Sequence, residues 1–281
     1  MIPGKCTNFI YFSSLLQTDI RFKETCNCLL DILRKNKVKF DFIGEAWDIW
    51  CRDYMPVQLE VGRFVQFRYE PSYLEDYPDL RINAIQLHKP LNIAPQISSI
   101  NLDGGNIISW SDKAIVSSRV FDENPQYSNS NKLISEIEKL LEVEVIIIPQ
   151  IDSDMTGHVD GMLRFVDGNT LVGNDRSLEL GYWRRKMKKI LRENGLNYID
   201  FPFFEYEDKR YADNAIGCYV NYLEVDDLIV FPIFETVNNK DNETFDLLRE
   251  IFPDRIIESL NFNDVGYLGG LLNCASWTIK V

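Results

Sequence analysis

The sequence predicts an α/β protein built from five repeats of a ββαβ unit and arranged as a propeller, with the two ends of the chain pairing to complete it. Three observations lead there. A polar motif recurs every 50 residues or so: Asp53 lies 50 residues before Asp103, Asp103 lies 55 before His158, and His158 lies 116, or two further periods, before Cys274. Each motif but the last is followed by two short apolar runs separated by a turn, the pattern of a hairpin. Where the pattern is fullest, an amphipathic helix and a further strand follow. A fixed period of this length points to a propeller or array.

The first unit opens at Trp50-Cys51-Arg52-Asp53 and continues as strands near Val57–Leu59 and Phe64–Phe67. The second opens at Leu102-Asp103-Gly104-Gly105-Asn106, with strands over Asn106–Trp110 and Ala114–Ser117 about a Ser111-Asp112-Lys113 turn. Its helix, about Asn131 to Leu141, puts Leu133, Ile134, Ile137, Leu140 and Leu141 on one face, and the strand Val143–Ile148 ends at Pro149. The third opens at Gly157-His158-Val159-Asp160 and runs through Met162–Val166, an Asp167-Gly168-Asn169 turn and Thr170–Gly173. Its helix spans about Gly181 to Glu193, with Trp183, Met187, Ile190 and Leu191 as its stripe and Asn194-Gly195 as its stop. The fourth opens at Asp213-Asn214, with a hairpin of Cys218–Leu223 and Leu228–Pro232 and a helix near Asn242–Ile251 ended by Pro253. The fifth opens at Gly269-Gly270 and passes through Cys274 into the strand Ser276–Val281, where the chain stops. The parts it lacks are available at the other end: a strand at Asn8–Phe12, a helix near Phe22–Arg34 and a strand at Val38–Ile43. The Pro71–Gln96 segment, with prolines at 71, 78, 90 and 95, is expected to be a surface excursion between units one and two. With no low-complexity linker, residues 1–281 are expected to form one domain.

Composition narrows the function. The chain has 281 residues, 45% of them apolar, which is enough for a large core. No apolar run approaches the roughly 18 residues that span a bilayer, and the N-terminal segment lacks the pattern of a secretion signal, so the expectation is a soluble cytoplasmic protein. The net charge of −13 disfavours a nucleic-acid or anionic-membrane partner and suits a cationic ligand. Cysteines at 6, 26, 28, 51, 218 and 274, with only His88 and His158 beside them, do not make a zinc pattern. Cys26 and Cys28, two apart on one helix, should face different sides. Trp47, Trp110 and Trp183 are expected in the core and His88 on the surface. Trp277 is either a pocket wall or strand packing.

One thiol, one imidazole and several carboxylates suit an attack on a guanidinium group. That cation is planar and presents N–H donors in a rigid fork that carboxylates grip by paired charge-assisted hydrogen bonds. Its central carbon is deactivated by charge delocalisation, so displacing ammonia needs a strong nucleophile and a proton donor. Cys274 supplies the nucleophile. His158 serves as acid for the leaving nitrogen and then as base for water. Asp53 and Asp160 hold the cation, Asp103 orients His158, Trp50 stacks on the guanidinium or fills core, and Asn106 lines the substrate site. The carboxylates disfavour ionisation of Cys274, so the bound cation, not the resting site, should favour the thiolate. Taken singly, each motif has a bland reading: a small buried Cys, a structural His, an Arg52–Asp53 salt bridge, glycine turns.

These motifs resemble those of the guanidine-modifying, or pentein, superfamily, and most closely agmatine deiminase and bacterial peptidylarginine deiminase. Trp50-Cys51-Arg52-Asp53-Tyr54-Met55-Pro56 is similar to the family's Trp-x-Arg-Asp-x-Gly-Pro. Asp103-Gly104-Gly105 stands at its Glu-Gly-Gly, and Gly157–Asp160 followed by Arg164-Phe165 matches its Gly-His-Val-Asp segment. Tyr219-Val220-Asn221-Tyr222 and the glycine-rich stretch before Cys274 complete the match. The resemblance implies a five-bladed ββαβ propeller, catalysis by Cys274, His158, Asp160, Asp53 and Asp103, no cofactor, and a small cationic guanidinium substrate: agmatine, arginine or an arginine-containing peptide. Departures are the aspartate at 103, one methylene shorter than glutamate, Met55 for glycine, Leu268 for the first glycine of the cysteine motif, and Asn273 for the histidine before the cysteine of agmatine deiminases. The reading is a cysteine-dependent deiminase acting through a thiouronium intermediate. A peptidylarginine deiminase, an amidinotransferase and a non-catalytic guanidinium-binding module share the same residues. The oligomeric state stays open, a homo-oligomer included.

Overall fold

The structure, a computed structural model, describes residues 1–44 and 46–281. Among these residues the strands form five three-stranded sheets. They run, in chain order, β1 (Phe9–Ser13), β2 (Lys39–Ile43), β3 (Val57–Glu60), β4 (Arg63–Arg68), β5 (Gln96–Asn101), β6 (Ile107–Ser109), β7 (Lys113–Ser117), β8 (Glu144–Ile148), β9 (Leu163–Phe165), β10 (Thr170–Asn174), β11 (Asn197–Phe201), β12 (Leu223–Val225), β13 (Leu228–Ile233), β14 (Ile256–Asn261) and β15 (Ser276–Ile279). Every sheet repeats one plan. An antiparallel hairpin is joined by a third strand parallel to its middle one, as in β6-β7-β8, β9-β10-β11 and β12-β13-β14. A parallel pair needs a crossover of a dozen or more residues, and in every sheet but β3-β4-β5 a long helix supplies it. These helices are α1 (Lys23–Lys35) before β2, α2 (Ser130–Leu141) before β8, α3 (Gly181–Glu193) before β11 and α4 (Asp241–Ile251) before β14.

The first sheet is made from both ends of the chain. β15 pairs antiparallel with β1, Tyr11 opposite Trp277, and β1 pairs parallel with β2 across α1. The truncated fifth unit thus finds its missing strand, helix and last strand at the N-terminus, as the repeat count requires.

Local chemistry explains the elements. Asn129 caps α2, its side chain accepting from the N–H groups of Asn131 and Lys132, and Glu142 closes the helix in the left-handed region at φ 57°. Leu133, Ile137 and Leu141 are its buried stripe. Trp183, Met187 and Leu191 bury one face of α3. Cys26 is buried and Cys28 exposed on α1, the two-residue offset at work. The Asp167-Gly168 turn closes β9 to β10, with the Asp167 carboxylate accepting the Asn169 N–H at 2.8 Å.

Several expectations need correction. The Pro71–Gln96 segment is no excursion between units. It lies inside the first, between β4 and β5, where the other units place their long helix, and it carries only short helical turns at Ser72–Leu74, Pro78–Leu80 and Ile85–His88. Its scattered prolines break any longer helix. Cys218 makes only an isolated antiparallel bridge to Phe203, and residues 219–221 are turn and bend rather than strand, so the fourth hairpin starts at Leu223. Trp47 is 73% exposed, not core. His88 is buried, its Nε2 2.9 Å from the Gln66 Oε1. Trp183 is buried, and Trp277 packs in its strand with its indole N–H donating to the Pro56 carbonyl at 2.8 Å. Among the described residues no helix is long and apolar enough to cross a membrane.

Candidate active site

The loops that enter the first strands of the sheets carry the polar motifs, and they meet. Asp53 sits on the helical turn Cys51–Tyr54 before β3, and Asp103 immediately before the turn Gly104–Asn106 that leads to β6. His158 and Asp160 flank the start of the turn Val159–Gly161 before β9, and Cys274 precedes β15. Backbone bonds join the loops to one another. The Arg52 N–H donates to the Cys274 carbonyl at 3.1 Å, and the Cys51 thiol to the Ala275 carbonyl at 3.1 Å.

Gly105 is the floor of this meeting point. Its N–H donates to Asp53 Oδ1 at 2.9 Å. A β-carbon added there would collide with Asp53 Oδ1, come within 2.7 Å of His158 Nδ1 and lie 3.3 Å from Asp160 Oδ1. Two carboxylates and the imidazole therefore converge over a single α-carbon, which must be glycine for lack of space. Gly104 beside it is equally constrained, since a β-carbon would run into the Arg52 carbonyl oxygen.

His158 is gripped at both nitrogens. Nε2 donates to Asp103 Oδ2 at 2.8 Å, and Nδ1 lies 3.5 Å from Asp53 Oδ1. The shorter aspartate at 103 reaches the ring directly. Asp103 Oδ2 also accepts the Tyr73 hydroxyl at 2.8 Å, and the Tyr73 ring stands edge-on to the imidazole at 5.9 Å.

Cys274 Sγ is 3.5 Å from Asp160 Oδ2, and the Asn221 side-chain amide donates to the sulfur at 3.2 Å. Asn221 also accepts the N–H groups of Asn273 and Cys274 with its Oδ1, at 3.1 and 3.3 Å, which fixes the nucleophile loop. Asn273 donates to Asp160 Oδ2 at 2.7 Å. Trp50, half-buried, lies against the same loop: a β-carbon at Gly270 would fall 2.5 Å from its ring.

Three aspartates and a histidine are buried together, and the titration of the groups reflects it. Burial raises Asp53, and the neighbouring Asp103 and Asp160 raise it further. For His158, burial opposes the charged ring, but the charges of Asp53, Asp103 and Asp160 together with the Asp103 hydrogen bond outweigh it and push the imidazole up to about 10. Burial and the charges of Asp160 and Asp53 hold the Cys274 thiol well above its ordinary value. The resting site is thus a protonated thiol and an imidazolium beside Asp53, an acid that burial and its neighbours hold back from ionising. Buried anions without partners are costly, so the pocket favours a cationic guest. Among the described residues no group of three or more His, Cys, Asp or Glu side chains is placed to hold a metal ion.

Residues 17–279 match the model of the Porphyromonas-type peptidyl-arginine deiminases. The chain belongs to that family. Solved structures share its fold at low identity. C. jejuni agmatine deiminase superposes with a TM-score of 0.78 at 18% identity, covering 99% of this chain and 95% of that one. The agmatine deiminase of Enterococcus faecalis gives 0.76 at 15%, with 99% and 95% coverage. The N-terminal domain of ArgZ, an arginine dihydrolase of cyanobacteria, gives 0.63 at 13%, with 97% and 98% coverage.

Within this deiminase fold, Cys274, His158, Asp160, Asp53 and Asp103 come together as the motif spacing anticipates. Asn106 is directed elsewhere: its side-chain carbonyl accepts the Ser117 N–H at 3.0 Å and ties the turn to β7. Asp213-Asn214 does not open the fourth unit's share of the site. Asn214 braces its own loop, donating to the Tyr206 and Tyr211 carbonyls, and Asn221 takes the site position instead. Asn221 could have been found from its place in Tyr219-Val220-Asn221-Tyr222, just ahead of β12 as Cys274 is just ahead of β15. Tyr73 offered no such signal, because it lies in an irregular segment with no periodicity to place it.

Proposed function

We propose that the protein is a cysteine-dependent guanidine deiminase converting a guanidinium substrate and water to a ureido product and ammonia. The observation that carries this reading is the convergence of Asp53, Asp160 and His158 over Gly105, with the Cys274 sulfur hydrogen-bonded to Asp160. The five sheets are read as blades of a closed propeller, with residues 1–281 as one catalytic domain. A cysteine-to-serine form of C. jejuni agmatine deiminase with substrate bound lends support from a relative of the same fold.

The guanidinium lies between the Asp53 and Asp160 carboxylates, each accepting its N–H groups. Its positive charge offsets the carboxylates that disfavour ionisation of Cys274, and the thiol gives up its proton to solvent as the complex assembles. The thiolate attacks the central carbon, forming a C–S bond. His158, an imidazolium held through Nε2 by Asp103, gives its Nδ1 proton to the departing nitrogen, and the C–N bond breaks with release of ammonia. The remaining thiouronium is attacked by water, whose proton passes to the now neutral His158. As the C–O bond becomes the ureido carbonyl, the C–S bond breaks and the proton of the added hydroxyl passes to sulfur, which restores the thiol and releases the ureido product. Trp50, packed on the nucleophile loop, is read as a wall of the guanidinium site.

The substrate is read as agmatine, arginine or an arginine-containing peptide, which share the reacting group and differ only in the tail. Six unpaired cysteines suit a reducing compartment, and the protein is assigned to the cytoplasm. The test is ureide and ammonia formation by purified protein with each of the three substrates, with Cys274→Ala as control. Turnover of at least one, abolished by the substitution, is expected. Ammonia release that survives Cys274→Ala defeats the nucleophile assignment, and product formed only in the presence of an amine such as glycine reassigns the chemistry to amidino transfer.

A further inference from the structure

A second cavity lies behind the nucleophile loop. It has a volume of about 90 Å³ and is bounded by Arg52, Gln58, Arg164, Glu224 and Thr278, with the Met1–Gly4 segment across it. Asn273 and Gly104 border it too, but the side chains that converge over Gly105 do not. The volume corresponds to about three water molecules.

Its charge is opposite to that of the catalytic pocket. Arg52 meets no carboxylate within 4 Å among the described residues. Its guanidinium holds only neutral acceptors at long range, Nε to the Asn273 carbonyl and Nη2 to Thr278 Oγ1, both at 3.4 Å. Arg164 is buried, spends Nη1 on the Tyr222 carbonyl, and sees Glu224 only at 3.9 Å. Glu224 is engaged more closely by Arg255, at 3.1 Å. Arg164 and Arg255 therefore share one glutamate, and Arg52 has no carboxylate of its own within 4 Å among the described residues. Burial and the nearby charge of Arg164 disfavour the charged form of Arg52, and the charge of Asp160, beyond ion-pair distance, offsets them only in part, yet a guanidinium stays charged in proteins. A half-buried fork, Arg52, and a buried one, Arg164, facing one small cavity with little close counter-charge, fit a planar oxyanion in paired N–H···O geometry.

We propose that this cavity binds a small carboxylate between Arg52 and Arg164. The hydroxyl of Thr278 is placed to donate to the same anion. The site is independent of the catalytic reaction, and its acidic neighbour excludes anions from the place where the substrate would bind.

Acetate is the probe, exchanged for chloride at constant ionic strength with substrate absent. Trp110 and Trp277 border the cavity, so intrinsic fluorescence should change saturably in the millimolar range, with a rise in Tm of a few degrees at tenfold saturation. Arg164→Gln should abolish both responses, Arg164→Lys should weaken binding at least tenfold because the fork is lost, and Cys274→Ala should bind as the unaltered protein does. A measurement that needs no variant is phenylglyoxal modification with peptide mapping: acetate should protect Arg52 and Arg164 while the exposed Arg34 reacts as before. The proposal is overturned by an absent or non-saturable response, by equal responses in both Arg164 variants, by loss of the response in Cys274→Ala, or by failure of acetate to protect the two arginines.

Discussion

Gly105→Ala is the sharpest perturbation the geometry offers. The new β-carbon would sit 2.7 Å from His158 Nδ1 and 3.3 Å from Asp160 Oδ1, and would overlap Asp53 Oδ1. Ordinary contact begins near 3.4 Å, so the imidazole would have to retreat by roughly 0.7 Å and Asp53 by more. A misplacement of about 1 Å in a catalytic group costs on the order of 10²-fold. Because the clamp and the proton donor both move, the expected loss in kcat/KM is about 10²- to 10³-fold. The protein itself should survive, since side chains can yield, at an overpacking cost of about 1–3 kcal/mol. Gly104→Ala is the internal contrast. Its β-carbon meets the Arg52 backbone carbonyl, which cannot rotate away, so this variant should lose structure before it loses chemistry. The assay is steady-state ureide formation on whichever of agmatine, arginine or arginine peptides is turned over, with thermal melts of both variants. A Gly105→Ala protein with unchanged kcat/KM would refute the convergence argument, and so would a Gly104→Ala protein as stable as the parent.

Three further outcomes are expected. Tyr73→Phe removes a 2.8 Å hydrogen bond to Asp103, worth roughly 1.5–3 kcal/mol to a charged acceptor. It should lower kcat by about tenfold or more without changing KM comparably, and an unaltered kcat would remove Tyr73 from the site. Asn221→Asp exchanges an amide donor to the Cys274 sulfur for a carboxylate. Iodoacetamide should then alkylate Cys274 at least tenfold more slowly at neutral pH, and a faster reaction would contradict the electrostatics. The third concerns pH. The folded-state value of His158 is raised to about 10 from about 6.5, so its contribution is fully present below pH 6.5 and fades as pH rises through 10. Asp53 is likewise raised by burial; its carboxyl ionises in the unfolded chain at about pH 4 but later in the fold, so stability erodes with rising pH until the folded carboxyl ionises too. The Tm of the substrate-free protein should therefore fall between pH 7 and 10, and His158→Gln should flatten that limb. Parallel curves for the two proteins would count against the ion cluster.

The chain itself determined the repeat, because turn chemistry and amphipathic periodicity are local. The Asp167-Gly168 turn and the stripes of α2 and α3 could each be read from a dozen neighbouring residues. The motif spacing pointed to Asp53, Asp103, His158, Asp160 and Cys274 for the same reason: each opens a unit, and units recur at a fixed interval. Tertiary structure decided what depends on distance across the chain. Whether Asp103 spans to His158 without an extra methylene turns on where two loops 55 residues apart come to rest. The roles of Tyr73 and Asn221, the turning of Asn106 toward Ser117, and the burial of His88 are of the same kind. No local pattern encodes them, since a hydrogen bond between distant segments is fixed by the packing of the sheets that carry them. The same holds for the rear cavity: Arg52 reads as a salt-bridge partner of the neighbouring Asp53, and only the folded chain sends the two side chains to different pockets.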